Sequence, residues 1–308
     1  MAINPLAVSL GNLSLRSPIF SCSGTWGYGT EQAAFSSYKE MGAFMTKGIT
    51  LSPRPGNPPP RLFETRAGLL NSVGLENVGL EAFLREKLPA LPSDHPPIFV
   101  NIAGESIEDY VALAQALSKE PDVAGLEVNV SCPNKDKGMA FGTDPCLVSD
   151  LTKAVKEACQ EKILVVKLTP NVTDIAHIAR AAVSAGAQAL SMINTLVGCA
   201  IDRKRKAPVF QRVYAGLSGP AVKPVALAAV WRTYEALDGK TPIIGMGGIQ
   251  GWEDALEFIL AGATAIGIGT ANFVDPLCCV SVARGLLHYL EQEKIPSILN
   301  LVGAAHER

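Results

Sequence analysis

The sequence contains few of the residues that build metal sites or disulfide frameworks. Histidine occurs four times among 308 residues, and the seven cysteines include no pair with CxxC spacing. Zinc knuckles and disulfide-stapled secreted folds depend on closely spaced cysteines or histidines. We therefore expect no structural metal and free thiols in a reducing cytoplasm, where most buried cysteines act as small apolar residues.

An excess of charge of either sign is also missing. Charged residues make up 18% of the chain, and the formal net charge is −2. Such a balance gives no electrostatic reason to bind nucleic acid. The basic run at 203–206 is short, and we predict that it lies in a solvated loop.

Neither a targeting signal nor a membrane span is indicated. The first 18 residues lack a basic segment followed by an apolar one, which a signal peptide requires. The longest uncharged run, 258–274, contains glycine, threonine and asparagine. It predicts a helix end followed by a buried strand rather than a membrane helix. We expect a soluble, cytoplasmic protein without membrane contact.

What the chain does contain is a repeated alternation of short apolar runs and helical segments. The eight predicted strands are 18–24, 43–48, 97–104, 125–131, 163–169, 189–195, 242–248 and 265–271. Helical spacing lies between the later strands, at 107–120, 145–161, 172–186, 223–238 and 251–263. This α/β alternation predicts a parallel sheet closed into a (β/α)8 TIM barrel. No linker-like stretch interrupts residues 1–308, so we predict one domain.

Two segments break this alternation. Residues 50–94 and 195–220 are too long for simple crossovers, and the first is rich in proline and glycine. Both follow the carboxyl ends of predicted strands, where a barrel carries its functional loops. We therefore predict that both are loop excursions over the C-terminal face.

The predicted strands end in polar residues or bare backbone. These ends are Ser23, Lys47, Asn101, Asn129, Lys167, Asn194, Gly247–Gly248 and Gly269–Thr270. Because the strand ends of a barrel converge, they predict one site without histidine or a carboxylate pair, which argues against metal and glycosidase chemistry. Two lysines predict an anionic ligand, although a strand-end lysine also suits a Schiff base. Glu127 lies deeper and is predicted to be a counter-charge, with Lys167 as its candidate partner.

Glycine runs close the last two strands. IIGMGG and AIGIGTA lie one βα unit apart, where barrels commonly bind phosphate through backbone N–H groups. Gln250 and Asn272 stand where a dinucleotide motif needs its third glycine, which argues against a Rossmann fold. Ordinary tight turns are the alternative, but the paired runs near Lys167 favour a mononucleotide phosphate.

One thiol stands out by its position. In the stretch GLEVNVSCPNKDKGMAFGTD, Cys132 lies between Asn129 and Asn134, where a strand gives way to a glycine-containing loop. A residue there can face a ligand bound at the barrel mouth. Its position, rather than its residue type, sets Cys132 apart from the other cysteines.

The ordered set of motifs resembles class 1 dihydroorotate dehydrogenases, the flavoprotein barrels of pyrimidine biosynthesis. It comprises MTKG, GNPPPR, LLNSVGLEN, NIAG, NVSCPN, GMAFGTDP, VVKLTPNVTD, MINTLVG, GLSGPAVKPVAL, IIGMGG and GTANFVDP, over residues 17–280. AFGTDP, MINTLVG and GTANFVDP are more similar to class 1B than to the fumarate-using class 1A. Membrane-bound class 2 enzymes have serine at the Cys132 position.

The resemblance implies an FMN-binding barrel that oxidises dihydroorotate to orotate. The C6 hydride would go to the flavin, and Cys132 would take the C5 proton from the opposite face of the substrate. Class 1B further implies a homodimer core in a heterotetramer with an electron-transfer subunit. That partner would carry FAD and a [2Fe–2S] cluster and pass electrons to NAD.

The resemblance also assigns binding residues. Those expected to contact substrate are Lys47, Asn71, Ser72, Val73, Gly74, Leu75, Asn129, Asn134, Asn194 and Thr195. Those expected to contact FMN are Ser23, Lys47, Gly48, Asn101, Asn129, Lys167, Ile193, Gly219, Gly247, Gly248, Gly269 and Thr270. Cys22, Thr25, Trp26 and Tyr214–Gly216 depart from the more usual family pattern near the flavin, which affects fine specificity rather than the reaction.

Four alternatives stay open at the level of the sequence. A related flavin barrel would act on another dihydropyrimidine such as dihydrouracil, although Lys47 argues for an anionic substrate. A class 1A-like homodimer would reduce fumarate. A lysine-dependent aldolase barrel would lack flavin, and a non-catalytic scaffold would give no reason for polar residues at every strand end.

Overall fold

A computed structural model describes residues 4–32, 38–131 and 141–307 of the chain. Its strands are β1 (Val8–Leu10), β2 (Leu13–Leu15), β3 (Ile19–Ser21), β4 (Ala43–Met45), β5 (Leu62–Thr65), β6 (Gly68–Asn71), β7 (Ile98–Ile102), β8 (Val123–Asn129), β9 (Ile163–Lys167), β10 (Ala189–Met192), β11 (Leu196–Gly198), β12 (Ile201–Asp202), β13 (Ala207–Pro208), β14 (Ala215–Ser218), β15 (Ile243–Met246) and β16 (Ala265–Ile268).

The α-helices are α1 (Gly79–Ala82), α2 (Ile107–Leu117), α3 (Pro145–Ala158), α4 (Ile175–Ser184), α5 (Lys223–Ala236), α6 (Trp252–Leu260) and α7 (Cys278–Gln292). A π-helical turn, Phe83–Lys87, continues α1. Short 3-10 turns are Thr30–Gln32, Tyr38–Glu40, Phe141–Thr143, Pro220–Val222, Thr270–Phe273, Ile298–Leu301 and Ala304–His306.

Eight parallel strands close into a barrel. Its order around the circumference is β3, β4, β7, β8, β9, β10, β15 and β16, and β16 pairs with β3 to complete the ring. Each of these strands falls within one of the eight predicted segments, apart from a small shift at the start of β8. The predicted parallel barrel with surrounding helices is therefore confirmed.

Local sequence explains where the outer helices begin. Asp144 and Asp174 accept hydrogen bonds from the first backbone N–H groups of α3 and α4, and Ser106 and Asp109 form a capping box at α2. Such caps satisfy donors that a helix leaves unpaired. The five predicted helices are confirmed as α2 to α6, whereas α7 was not predicted.

The two excursions are not simple loops. They contribute β5, β6, β11 and β14 to one four-stranded antiparallel sheet with the order β11-β14-β6-β5. Strand β14 pairs with β6 from the first excursion and with β11 from the second. Their strands are short, and their pairing partners lie far away in the chain, so local patterns did not predict this sheet.

Smaller elements lie outside the barrel. β1 and β2 form an antiparallel hairpin, and at its turn a Cβ on Gly11 would lie 3.2 Å from Ile163 at the start of β9. The basic run at 203–206 is exposed between β12 and β13, as predicted. Within the described ranges, no helix combines the length and apolarity needed to cross a bilayer.

Candidate active site

Glu127 of β8 is the centre of a buried polar network inside the barrel. Its fully buried carboxylate accepts hydrogen bonds from Asn101 Nδ2 and Ser191 Oγ, each at 2.6 Å. Lys167 Nζ lies 3.7 Å from Glu127 Oε2. Since a buried charge is costly without a partner, this pairing explains how Lys167 is accommodated. The predicted counter-charge role of Glu127 is confirmed.

Two carboxamides meet at the ends of β8 and β10. Asn194 Nδ2 donates to Asn129 Oδ1 at 3.2 Å and to Ser131 Oγ at 2.9 Å. The backbone N–H of Thr195 donates to Asn194 Oδ1 at 2.9 Å. Asn129 Oδ1 is thus occupied, whereas its NH2 group donates no hydrogen bond within the described residues, and Asn194 links the two strand ends.

The antiparallel sheet carries further predicted substrate residues towards this pair. Asn71 lies opposite Gly216 in register and donates a hydrogen bond of 3.1 Å to the Gly216 carbonyl. A Cβ on Gly216 would collide with Thr195 Oγ1 and would lie 3.0 Å from Asn71 Nδ2. The absence of a side chain at residue 216 therefore lets Asn71 and Thr195 come together, although they are distant in sequence.

Lys47 follows β4 and is held by an acidic residue of the first excursion. Its Nζ lies 3.2 Å from Glu76 Oε2, and Arg61 Nη1 lies 2.9 Å from the same oxygen. The hydrogen bond from Lys47, aided by both positive charges, holds the pKa of Glu76 below its usual value. One carboxylate thus positions two cations beside the strand ends.

The segment from Ser72 to Leu75 adopts a turn with left-handed backbone. Asn57 Nδ2 donates to the Ser72 carbonyl at 3.1 Å and to Ser72 Oγ at 3.0 Å, and its backbone N–H donates to the Val73 carbonyl at 2.9 Å. Gly74 and Leu75 have φ values of +76° and +55°. A Cβ on Gly48 would lie 3.6 Å from Leu75 Cδ2 and 3.0 Å from Asn101 Oδ1, which places this turn beside the barrel rim.

Four backbone N–H groups lie at the ends of β15 and β16. Among hydrogen bonds within the described part of the chain, none is donated by the N–H groups of Gly247, Gly248, Gly269 or Thr270. Gly247 and Gly248 have positive φ values of 128° and 82°, conformations that favour glycine and let peptide N–H groups approach an anion.

Two residues predicted to contact the flavin ring and ribityl chain, Ile193 and Gly219, lie next to these glycines. A Cβ on Gly247 would lie 3.4 Å from Ile193, and one on Gly248 would lie 3.0 Å from the Gly219 carbonyl oxygen. Thr270 Oγ1 donates to Ser218 Oγ at 2.8 Å. The predicted phosphate residues are thus brought together.

One predicted residue is not joined to these groups, and two lie outside the described residues. Ser23 lies partly exposed after β3, and within the described residues no hydrogen bond or ion pair connects it to the others. Cys132 and Asn134 lie outside the described residues. The neighbouring Cys22 is buried, and this burial raises the pKa of its thiol to about 12 despite the charge of Lys167, so Cys22 is unsuited to act as a base.

Sequence reasoning missed several residues that support the site. Glu76 and Arg61 hold Lys47, and Ser191 donates to Glu127. Asn171 Nδ2 donates to the Thr195 carbonyl at 3.0 Å. The single hydroxyl in the otherwise apolar strand ALSM could have identified Ser191. No sequence pattern beyond the family motifs marked Asn171 or Glu76.

Comparison with known proteins agrees with this geometry. The family model described as Dihydroorotate dehydrogenase matches residues 5–290. The chain belongs to the dihydroorotate dehydrogenase family. The predicted family and oxidoreductase class are thereby confirmed, and membership in this family implies a flavin cofactor.

Similar curated proteins refine the assignment within this family. A protein of Geotalea uraniireducens is 49% identical over 300 residues, covering 97% of both chains. One of Pelobacter propionicus is 50% identical over 300 residues, covering 97% of this chain and 98% of the relative. One of Desulforudis audaxviator is 50% identical over 301 residues, covering 97% of each. All three are named dihydroorotate dehydrogenase B (NAD(+)), catalytic subunit, which supports the class 1B prediction.

Proposed function

We propose that this chain oxidises dihydroorotate to orotate in de novo pyrimidine biosynthesis, as the catalytic subunit of an NAD-linked class 1B enzyme. The observation that carries the proposal is the meeting of Asn71 and Thr195 across Gly216, beside the Asn129–Asn194 pair. Carboxamides offer donors and acceptors together, which suits the imide edges of a dihydropyrimidine ring. Lys47 supplies the positive charge that a substrate carboxylate requires.

We propose that the four-stranded sheet covers this site. Its strand β6 ends at Asn71, and Glu76, five residues further on, reaches Lys47 at the barrel rim. We place both excursions over the C-terminal face and treat residues 1–308 as one domain. Residues 72–75 would then line the substrate pocket through their backbone, and Asn134 would help to orient the substrate.

FMN is the proposed cofactor, and the described residues fit it. The free N–H groups of Gly247, Gly248, Gly269 and Thr270 suit a phosphate. Lys167 is buried, and its Nζ lies 3.7 Å from Glu127 Oε2. This distance is too long for a hydrogen bond, so the N–H groups of Lys167 can donate to a ligand. Ser23, Lys47, Gly48, Asn101, Asn129, Ile193 and Gly219 complete the proposed cofactor set. When bound, FMN supplies the hydride acceptor that the side chains themselves lack.

Cys132 is the proposed catalytic base. It would remove the C5 proton of dihydroorotate, while Asn71, Asn129 and Lys47 hold the ring and its carboxylate. A free thiol has a pKa of about 8.5, so nearby positive charge is needed to favour the thiolate near neutral pH. Cys22, the buried thiol after β3, is excluded from this role by its raised pKa.

The relatives' names, which specify a catalytic subunit and NAD, support a partner that passes electrons onward. We propose a homodimer of this chain with a subunit that carries FAD and a [2Fe–2S] cluster, in the cytoplasm. That subunit, rather than this chain, would bind NAD.

Anaerobic reduction tests the proposal. The purified chain is expected to carry one FMN, and dihydroorotate should bleach its visible flavin absorbance, whereas dihydrouracil should not. Bleaching by dihydrouracil alone would select the other dihydropyrimidine activity, and a colourless protein would contradict a flavin enzyme. Fumarate that reoxidised the reduced chain rapidly without a partner would favour a class 1A-like enzyme.

A further inference from the structure

Glu127 is a buried carboxylate that the proposed chemistry does not use directly. We infer that it is a positioning residue: it fixes the side-chain amide of Asn101 so that the oxygen, and not the NH2 group, faces the flavin. This inference rests on the proposed FMN site and adds a determinant of how that site recognises its ligand.

The first step is the polarity of the Asn101–Glu127 contact. The two residues lie directly opposite each other on β7 and β8, and their side chains are 2.6 Å apart. A carboxylate only accepts hydrogen bonds, whereas an asparagine amide donates through nitrogen and accepts through oxygen. The group that faces Glu127 must therefore be the Asn101 NH2.

The second step is that the carboxylate cannot easily turn away. Ser191 Oγ donates to Oε1 at 2.6 Å, and Lys167 Nζ lies 3.7 Å from Oε2, the oxygen that also accepts from Asn101. Glu127 is fully buried, so water does not offer an exchange of partners. Rotation of either side chain would leave a buried polar group unpaired, which is costly.

The third step concerns the direction of Asn101 Oδ1. A Cβ on Gly48 would lie 3.0 Å from this oxygen, so Oδ1 faces the backbone just after Lys47. Among the described residues, no hydrogen bond is donated to Oδ1. Asn101 Oδ1 thus remains an acceptor beside Gly48, on a side chain whose NH2 group shares Glu127 Oε2 with Lys167.

Lys167 and Asn101 together favour a ligand with one particular hydrogen-bonding pattern. Lysine donates and Asn101 Oδ1 accepts, which matches a carbonyl oxygen beside an N–H, as in the imide edge of a flavin. An inverted amide would present its NH2 group on the side of Gly48 and would leave the ligand N–H without an acceptor. Glu127 therefore selects the hydrogen-bonding pattern of the site without touching the ligand.

The test compares FMN binding to apo-protein by quenching of flavin fluorescence. In Glu127→Leu, the acceptor that holds the Asn101 NH2 group is removed, so the amide is free to turn. We expect the dissociation constant for FMN to rise about 10- to 100-fold, the effect of one misdirected hydrogen bond, with a shift of the visible flavin spectrum. An unchanged constant and spectrum would overturn the inference.

A second substitution separates two roles of Glu127: orienting the Asn101 amide and compensating the charge of Lys167. Glu127→Gln removes the negative charge but keeps an amide oxygen that can accept from the Asn101 NH2 group, while its own NH2 group can donate to Ser191 Oγ. It should retain most of the FMN affinity that Glu127→Leu loses. If Glu127→Gln loses as much affinity as Glu127→Leu, Glu127 acts only as the counter-charge of Lys167.

Ser191→Ala is the matched control, because it removes one hydrogen bond to Glu127 but leaves the Asn101 contact intact. It should lower the thermal midpoint while FMN binding changes little; a loss equal to that of Glu127→Leu would overturn the inference.

A ligand-side measurement covers the case in which Glu127→Leu does not fold. FMN methylated at its imide nitrogen should bind the unchanged protein at least about tenfold more weakly, and equal binding would contradict the inferred acceptor. A wild-type protein that fails to bind FMN at all would instead overturn the proposed function.

Discussion

Asn71 and Gly216 lie directly opposite each other on antiparallel strands, and the Asn71 amide donates a 3.1 Å hydrogen bond to the Gly216 carbonyl. Gly216 in turn packs against Thr195, so that a side chain at residue 216 has no room. This relationship joins both excursions and two predicted substrate residues at one point.

Gly216→Ala tests this arrangement. The added methyl group should push Thr195 and Asn71 apart, so we expect the KM for dihydroorotate to rise about tenfold, the cost of one displaced hydrogen bond, with FMN content unchanged. Gly198→Ala, in neighbouring β11, is the control, since its Cβ would meet Leu70 and Leu217 rather than the predicted substrate residues. An unchanged KM in Gly216→Ala would remove this contact from substrate binding.

Lys167→Met should weaken FMN retention. The substitution removes a buried ammonium that carries donors towards the site and leaves Glu127 without its cation. Loss of a charged hydrogen bond, worth about 1.5–3 kcal/mol, predicts roughly 10- to 100-fold weaker binding. The ratio of flavin to protein after gel filtration measures this effect. Lys156→Met, which loses only a bond to Gln188, should retain full FMN; equal flavin content in both variants would discredit the assigned role.

Cys132→Ser should retain FMN but lose most turnover at neutral pH. Serine is a much weaker base, and loss of a general base typically costs about 10²- to 10⁴-fold in rate. Steady-state assays with dihydroorotate from pH 6 to 9 should show a residual rate that rises with pH. Cys146→Ser, at an exposed thiol, should behave as wild type. Near-normal turnover of Cys132→Ser would remove this residue from the mechanism.

Glu76→Gln should affect stability in a pH-dependent way. The folded-state pKa of Glu76 is depressed by Lys47 and Arg61, so its stabilising contribution is present above the unfolded carboxyl pKa of about 4.3. It is lost as the pH falls through the lower folded value. Because the pair is partly exposed, we expect a difference of no more than about 1 kcal/mol.

Urea unfolding at several pH values checks this expectation. The difference between wild type and Glu76→Gln should be constant above about pH 5 and should shrink under more acidic conditions. Glu81→Gln, at a largely exposed carboxylate paired with Arg85, serves as the control. A difference that grew on acidification would contradict the assigned sign.

The free thiols should differ in reactivity towards alkylation. Burial raises the pKa of Cys22 to about 12 and that of Cys278 to about 11, and it also raises those of Cys159 and Cys279. Since the thiolate is the reactive form, these four should be labelled slowly near pH 7.5, whereas the exposed Cys146 and Cys199 should be labelled rapidly. Mass spectrometry of peptides from native protein measures this order, and fast labelling of Cys22 would contradict its assigned burial.

The barrel was predictable because its signals are local. Short apolar runs, their spacing and capping residues such as Asp144 and Asp174 fix strands and helices within a few residues of where they occur. The strand-end polar residues followed from the fold class, since parallel strands of a barrel must end on one face. Helix α7 was not predicted, although its buried residues recur at helical spacing.

The antiparallel sheet was not predictable in the same way. Its strands have three or four residues, and β14 pairs with β6 from about 145 positions earlier in the chain, as the Asn71–Gly216 contact shows. Local patterns carry no information on such pairing, because it depends on the barrel having already brought both excursions together.

The sequence by itself determined the eight-stranded barrel, the kind of residue at each strand end and the family to which the chain belongs, because these depend on short-range periodicity and ordered motifs. Only the tertiary structure decided which groups those residues offer. Glu127 dictates the orientation of Asn101, Glu76 holds Lys47, and Gly216 admits Thr195 beside Asn71. Hydrogen-bond polarity and close packing are properties of neighbours in space, which the order of residues along the chain does not state.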